Sequence, residues 1–170
     1  MKYTSAEAAK LLRKLNEEHA QLMDKELRSM AFIAAVGEDL SEVRPAYDYA
    51  AAQKDLAELE RKIRVVKHAI SQFNLTTEVP GFQMTVDQML VYIPQLSARK
   101  RKLSDMAGRL PKERMNSAGF GAKPIIEYRY ANYEVADAEA DLKAVTDELS
   151  RAQTALDVTN NSGTMEIQLD

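Results

Sequence analysis

The sequence predicts a mainly all-α fold: long antiparallel helical hairpins in a coiled-coil four-helix arrangement, with short β-strands at the helix ends. Three observations predict it. Apolar residues recur at alternating three- and four-residue steps over runs approaching 30 residues, the pattern of a helix with one buried seam. The six glycines fall outside those runs, at their ends. The two halves of the chain also look alike, each holding a helix, a connector, a strict heptad helix and an Asn followed by a Thr-containing strand. A length of 170 residues suits one domain, expected as a single elongated unit over 1–170 with hairpins at about 4–79 and 84–169.

The first helix opens at Thr4-Ser5-Ala6-Glu7, a capping box in which the threonine hydroxyl accepts from the third amide and the glutamate reaches back. Its stripe is Ala8, Leu12, Leu15, His19 and Leu22, then moves over by one residue to Met23, Leu27, Met30 and Ala34, a stutter in the seam. Gly37 is expected to end it. Glu38 to Arg44 read as a polar connector, and Pro45 suits the first turn of the second helix. The seam of that helix is Tyr49, Ala52, Leu56, Leu59, Ile63, Val66, Ile70 and Phe73, with charged residues on the other faces. Leu75 to Val79 then alternate as a strand before Pro80-Gly81 turns the chain.

The third helix starts at the capping box Thr85-Val86-Asp87-Gln88 and carries Pro94, expected to kink it. Gly108 to Lys123 read as a mobile loop, and Ile125 to Tyr130 as a second strand. Asn132 is expected to cap the fourth helix, whose seam is Val135, Ala138, Leu142, Val145, Leu149, Ala152 and Leu156. Thr164 to Leu169 alternate as a third strand, and the likeness of the halves predicts that the strand ends around Val79 and Ile167 meet.

The segment Asn74-x-x-Thr77-x-Val79-x-Gly81 leading to Asp87, with the ending Asn160 to Ile167 after a long heptad helix, resembles a family of small bacterial helical proteins sometimes labelled septicolysin. The likeness spans most of the chain; here Asn161-Ser162-Gly163 lengthens the second motif. The resemblance implies an all-helical oligomeric assembly and supplies no catalytic residue. The toxin that the label suggests is not expected, because the chain shows no secretion signal and no membrane-inserting apolar stretch. A cytoplasmic location, with no membrane partner, is expected.

Chemistry is scarce. Without cysteine this chain has no disulfide, thiolate nucleophile or Cys-ligated metal. His19 and His68 are the only histidines, and the Glu-x-x-His of a helical di-iron site is missing because Asn16 and Val65 stand where the glutamates belong. His19 reads as a structural imidazole in the seam and His68 as surface decoration. No Ser-His-Asp set, Walker loop or dinucleotide fingerprint occurs, and Gly119-Phe120-Gly121 reads as a loop tip. No catalytic residue, metal or cofactor is expected, and the chain is read as a non-enzyme.

Interaction remains. The seam residues Tyr49, Leu56, Leu59, Ile63, Val66, Ile70, Phe73, Val135, Leu142, Val145, Leu149 and Leu156 are the expected helix and oligomer contacts. Self-assembly into a homo-oligomer, or scaffolding of a protein partner, is the expected function. A net charge of −3 provides no global case for nucleic acid, but Arg99, Lys100, Arg101, Lys102, Arg109, Lys112 and Arg114, with Lys123, form a local basic stretch. Two uses compete for it: charge pairing with the acidic fourth helix, and an anion or nucleic-acid patch supported by Phe120, Tyr128, Tyr130 and Tyr133.

Overall fold

The computed structural model describes residues 1–115 and 126–169. The fold is mainly helical, as expected, with five helices and short strands among the described residues. In chain order these are β1 (Lys2–Thr4), α1 (Ser5–Ser29), the one-turn α2 (Leu40–Val43), α3 (Tyr49–Thr76), β2 (Glu78–Val79), β3 (Met84–Thr85), α4 (Val86–Ala107), β4 (Lys112–Met115), β5 (Glu127–Tyr130), α5 (Val135–Ser162) and β6 (Thr164–Glu166). The chain divides into two units, Met1–Thr77 with Thr159–Asp170, and Glu78–Val158.

In the first unit α1 packs against α3. Cross-helix contacts give the direction: His19 faces Glu60 at 3.5 Å, and Tyr47 and Gln53 each donate to Glu26 at 2.5 Å, so the partner number falls as the α1 number rises. The pair is antiparallel. Its open end is closed by β1 and β6, which run antiparallel with Lys2 opposite Glu166 and Thr4 opposite Thr164. The amino terminus donates to the Ile167 carbonyl, and the Ile167 amide returns a bond to Met1. Buried Ala8, Leu15, Leu56, Val66, Phe73, Met165 and Ile167 make the core.

In the second unit α4 packs on α5. Tyr92 donates to Glu148 and Tyr133 donates to the Met106 carbonyl, which makes this pair antiparallel as well. Val86, Met89, Leu96 and Leu103 of α4 are buried, as are Ala138, Val145, Leu149, Ala152 and Leu156 of α5. Pro94 sits inside α4 without ending it. The β2–β3 hairpin turns on Pro80-Gly81, where the Phe82 amide bonds the Val79 carbonyl and Gly81 has φ +84°, the geometry of a type II turn.

The likeness of the halves is exact enough to count. Helices α3 and α5 have 28 residues each. Thr4 and Thr85 adopt the same N-cap conformation (ψ 163° in both) and both complete their capping boxes, as expected. Ala8 and Leu15 match Met89 and Leu96 at one spacing; Val66 and Val79 match Ala152 and Met165 at another, and all eight are buried. The difference between the two spacings is absorbed in the connectors.

Several expectations are corrected. The strand pairing is not the expected one: Val79 pairs with Met84 in β2–β3, while Ile167 bonds Met1. The first described strand takes the last as its partner, and the second and third, linked by a tight turn, take each other. Helix α1 stops at Ser29, so Met30 and Ala34 lie beyond it. Pro45 also lies outside a helix, because Asp48 caps α3 by accepting from the Ala51 amide. Leu75 and Thr76 remain helical, which shortens the expected strand to Glu78–Val79. Helix α5 begins at Val135, leaving Asn132 outside it. Of the expected loop over 108–123, residues 112–115 form β4 and residues 116–123 lie outside the described ones, as does Ile125 of the expected second strand. No described helix is long and apolar enough to cross a membrane.

Candidate functional site

Most of the seam is where a seam should be. Leu56, Val66, Phe73, Val145, Leu149 and Leu156 are buried, and Leu59, Ile63, Ile70, Val135 and Leu142 are half-buried. Tyr49 is the exception at 68% exposed, because it opens α3 beyond the last turn of α1. These side chains are spent on holding each helix pair together.

His19 is half-buried with its Nε2 facing Glu60 across the α1–α3 seam, and His68 is exposed on α3. No group of three or more His, Asp or Glu that could hold a metal occurs among the described residues. The polar chemistry of the first unit is structural. Arg61 grips Glu58 with two hydrogen bonds of 3.0 and 2.9 Å and donates a third, of 3.1 Å, to the Leu169 carbonyl, tying the tail to α3. This guanidinium draws the Glu58 carboxyl down to about 2. Glu26, accepting from Tyr47, pushes that phenol up to about 12.

The basic stretch belongs to the second unit. Arg99, Lys100, Arg101 and Lys102 lie on α4, with Lys100 half-buried and the other three exposed; Arg109, Lys112 and Arg114 follow and are exposed. None of these seven takes part in a salt bridge with a described residue, and the ion pair seen on α5 joins Arg151 to Glu148 of the same helix. Among the described residues of the chain, no direct ion pair joins them to α5.

Lys112 and Arg114 instead stand on β4, inside the expected loop, and β4 pairs with β5 in the expected second strand. Strands β4 and β5 pair Lys112 with Tyr130, Glu113 with Arg129, Arg114 with Tyr128 and Met115 with Glu127. Since side chains alternate across a strand, Lys112, Arg114, Tyr128 and Tyr130 share one face, and Glu113, Met115, Glu127 and Arg129 the other. The Lys112 Nζ lies 4.1 Å from the Tyr128 ring centre and 5.4 Å from that of Tyr130, within cation–π range of both. The hairpin is fastened to the end of α4 by the Ala131 amide bonding the Pro111 carbonyl and by Tyr133 bonding Met106. Tyr133 is thus a structural tie, while Tyr128 and Tyr130 remain exposed. Phe120 lies outside the described residues. The alternation Lys-Glu-Arg against Glu-Tyr-Arg-Tyr was the available signal for the hairpin, hidden by the Gly, Pro and Ser around it.

A second surface is apolar. Between α1 and α3 the chain runs Met30-Ala31-Phe32-Ile33-Ala34-Ala35-Val36-Gly37 without a charge, and Ile33 and Val36 are fully in solvent at 96% and 108% exposure. Met23, Leu27, Met30 and Leu40 are exposed beside them.

No protein-family model and no curated protein matches the chain. Among solved structures it is similar to a functionally unknown conserved protein from Corynebacterium diphtheriae, with 17% identity and a TM-score of 0.60 over 98% of this chain and 100% of that one. The likeness establishes a shared fold along nearly the whole length.

Proposed function

We propose that the protein is a non-enzymatic helical-hairpin protein that acts by assembling with itself, the apolar end of the α1–α3 pair being the contact surface. One observation carries this reading: Met23, Leu27, Met30, Ile33, Val36 and Leu40 cluster in one stretch of the first unit and are all exposed. Exposed apolar clusters of this kind mark interaction sites. Their combined surface is on the order of the ~800 Å² that each partner contributes to a standard interface. A second copy is the occupant, since the uncharged run 30–37 at the centre of this surface finds its best complement in an equally uncharged one. The core seams leave the role of assembly to this end, because they are already used within each helix pair.

Light scattering on the purified chain tests the reading. A dimer or larger species at micromolar concentration is expected, reduced to monomer by I33D with V36D. A wild-type chain that stays monomeric into the hundred-micromolar range contradicts it, because the proposed interface is then too weak to assemble.

A further inference from the structure

The β4–β5 hairpin carries a second, unrelated surface. We infer that its Lys112, Arg114, Tyr128 and Tyr130 face is a docking site for single-stranded nucleic acid. The face has two cations, two aromatic rings and no carboxylate, the acidic residues Glu113 and Glu127 being on the opposite side of the same hairpin. Lys112 and Arg114 form no salt bridge with a described residue, so their charge is available to an incoming anion. Tyr128 and Tyr130 are 44% and 61% exposed, with ring centroids 6.4 Å apart.

That combination separates a single strand from other anions. Cations next to exposed rings hold a flexible strand by neutralising phosphate while bases stack on the rings, which requires no sequence readout. An acidic peptide would use the charges and leave the rings without work. A bilayer surface favours apolar insertion beside its basic residues, and within β4 and β5 this face carries no aliphatic side chain, the exposed Leu110 and Ile126 lying outside the strands. A duplex keeps its bases stacked on one another and gains nothing from the tyrosines. The unbridged Arg99, Arg101 and Lys102 on α4 extend the positive field toward the same end of that helix, to which the hairpin is tied.

The test uses the full-length chain and fluorescence anisotropy of a labelled oligodeoxythymidine of about 15 nucleotides, in the range such grooves cover. Saturable binding is expected, with a slope of log K against log salt between about −1 and −3 for two to four phosphate contacts. Y128L and Y130L are each expected to weaken binding roughly tenfold, while Y128F and Y130F keep it within about twofold, since a phenyl ring stacks as well as a phenol. K112Q with R114Q should flatten the salt slope by about 1.4. The helical circular dichroism of every variant should match the wild type, because the hairpin lies outside the helices. The inference is overturned if no saturable binding appears at low salt, if the leucine variants bind like wild type, or if a duplex of the same length binds equally well. Recruitment to phosphatidylserine vesicles without oligonucleotide binding assigns the face to a membrane surface and overturns it too.

Discussion

Gly163 joins α5 to β6, and among the described glycines it is the one where an added Cβ meets the closest contacts. A Cβ built there would lie 2.7 Å from Phe73 Cζ, 2.9 Å from Phe73 Cε2 and 2.9 Å from the Thr159 carbonyl oxygen. Phe73 is buried at 7% exposure, and the carbonyl is backbone, held at 2.8 Å by the Gly163 amide. Gly163→Ala therefore forces an overpacked contact, costing about 1–3 kcal/mol. At roughly 2–4 °C per kcal/mol for a chain of this size, Tm should drop by about 2–12 °C. The cost falls mainly on the contact between α3 and the closing strands. Urea denaturation followed by circular dichroism measures it, and a cycle with Phe73→Leu separates its two causes. Removing the ring relieves the ring contacts and leaves the carbonyl contact, so the double variant should be less destabilised than the sum of the singles by about 0.5–2 kcal/mol. Wild-type stability for Gly163→Ala, or strict additivity in the cycle, refutes the reasoning.

Three further predictions follow from the same contacts. Glu58 has its folded pKa lowered from an ordinary 4.5 to about 2, so the stability it contributes is complete above about pH 4.5 and is lost as pH falls toward 2; Glu58→Gln should flatten the acid limb of the stability curve in that window, with wild-type and variant converging at its low end. Thr4→Ala and Thr85→Ala each remove a hydroxyl that accepts from the third helical amide, and each should cost about 1 kcal/mol in urea unfolding, while serine at either position restores the cap. Ala152 is fully buried at the position matching Val66, so Ala152→Val should overpack the second unit by about 1–3 kcal/mol, read as a lower denaturation midpoint.

How much of this was legible in the residues varies by element, for physical reasons. The α3 and α5 seams were, since a helix repeats every 3.6 residues and a buried stripe must follow that period whatever it packs against. The two capping boxes were as well, because their bonds join residues three apart. The end of α1 was not: Met30 and Ala34 continue an apolar stripe past the last turn, and periodicity alone does not say whether a stripe is covered. Strands β1 and β3 were missed because three and two residues are too few to show alternation. At the candidate hairpin, the sequence shows the cations and tyrosines but not that they share a face, since that depends on the register of β4 against β5.

By itself the sequence determined the local matter of this protein: the helical class, the like halves, the seams of α3 and α5, the capping boxes at Thr4 and Thr85 and the Pro80-Gly81 turn. Tertiary structure decided the strand partners, with Lys2 opposite Glu166 and Glu78 opposite Thr85, and it decided which apolar and basic residues stay uncovered. The division follows from range. Helix formation and capping are settled by bonds within four residues, whereas pairing the first strand with the last depends on where α1, α3 and α5 deliver their ends, which no local pattern records.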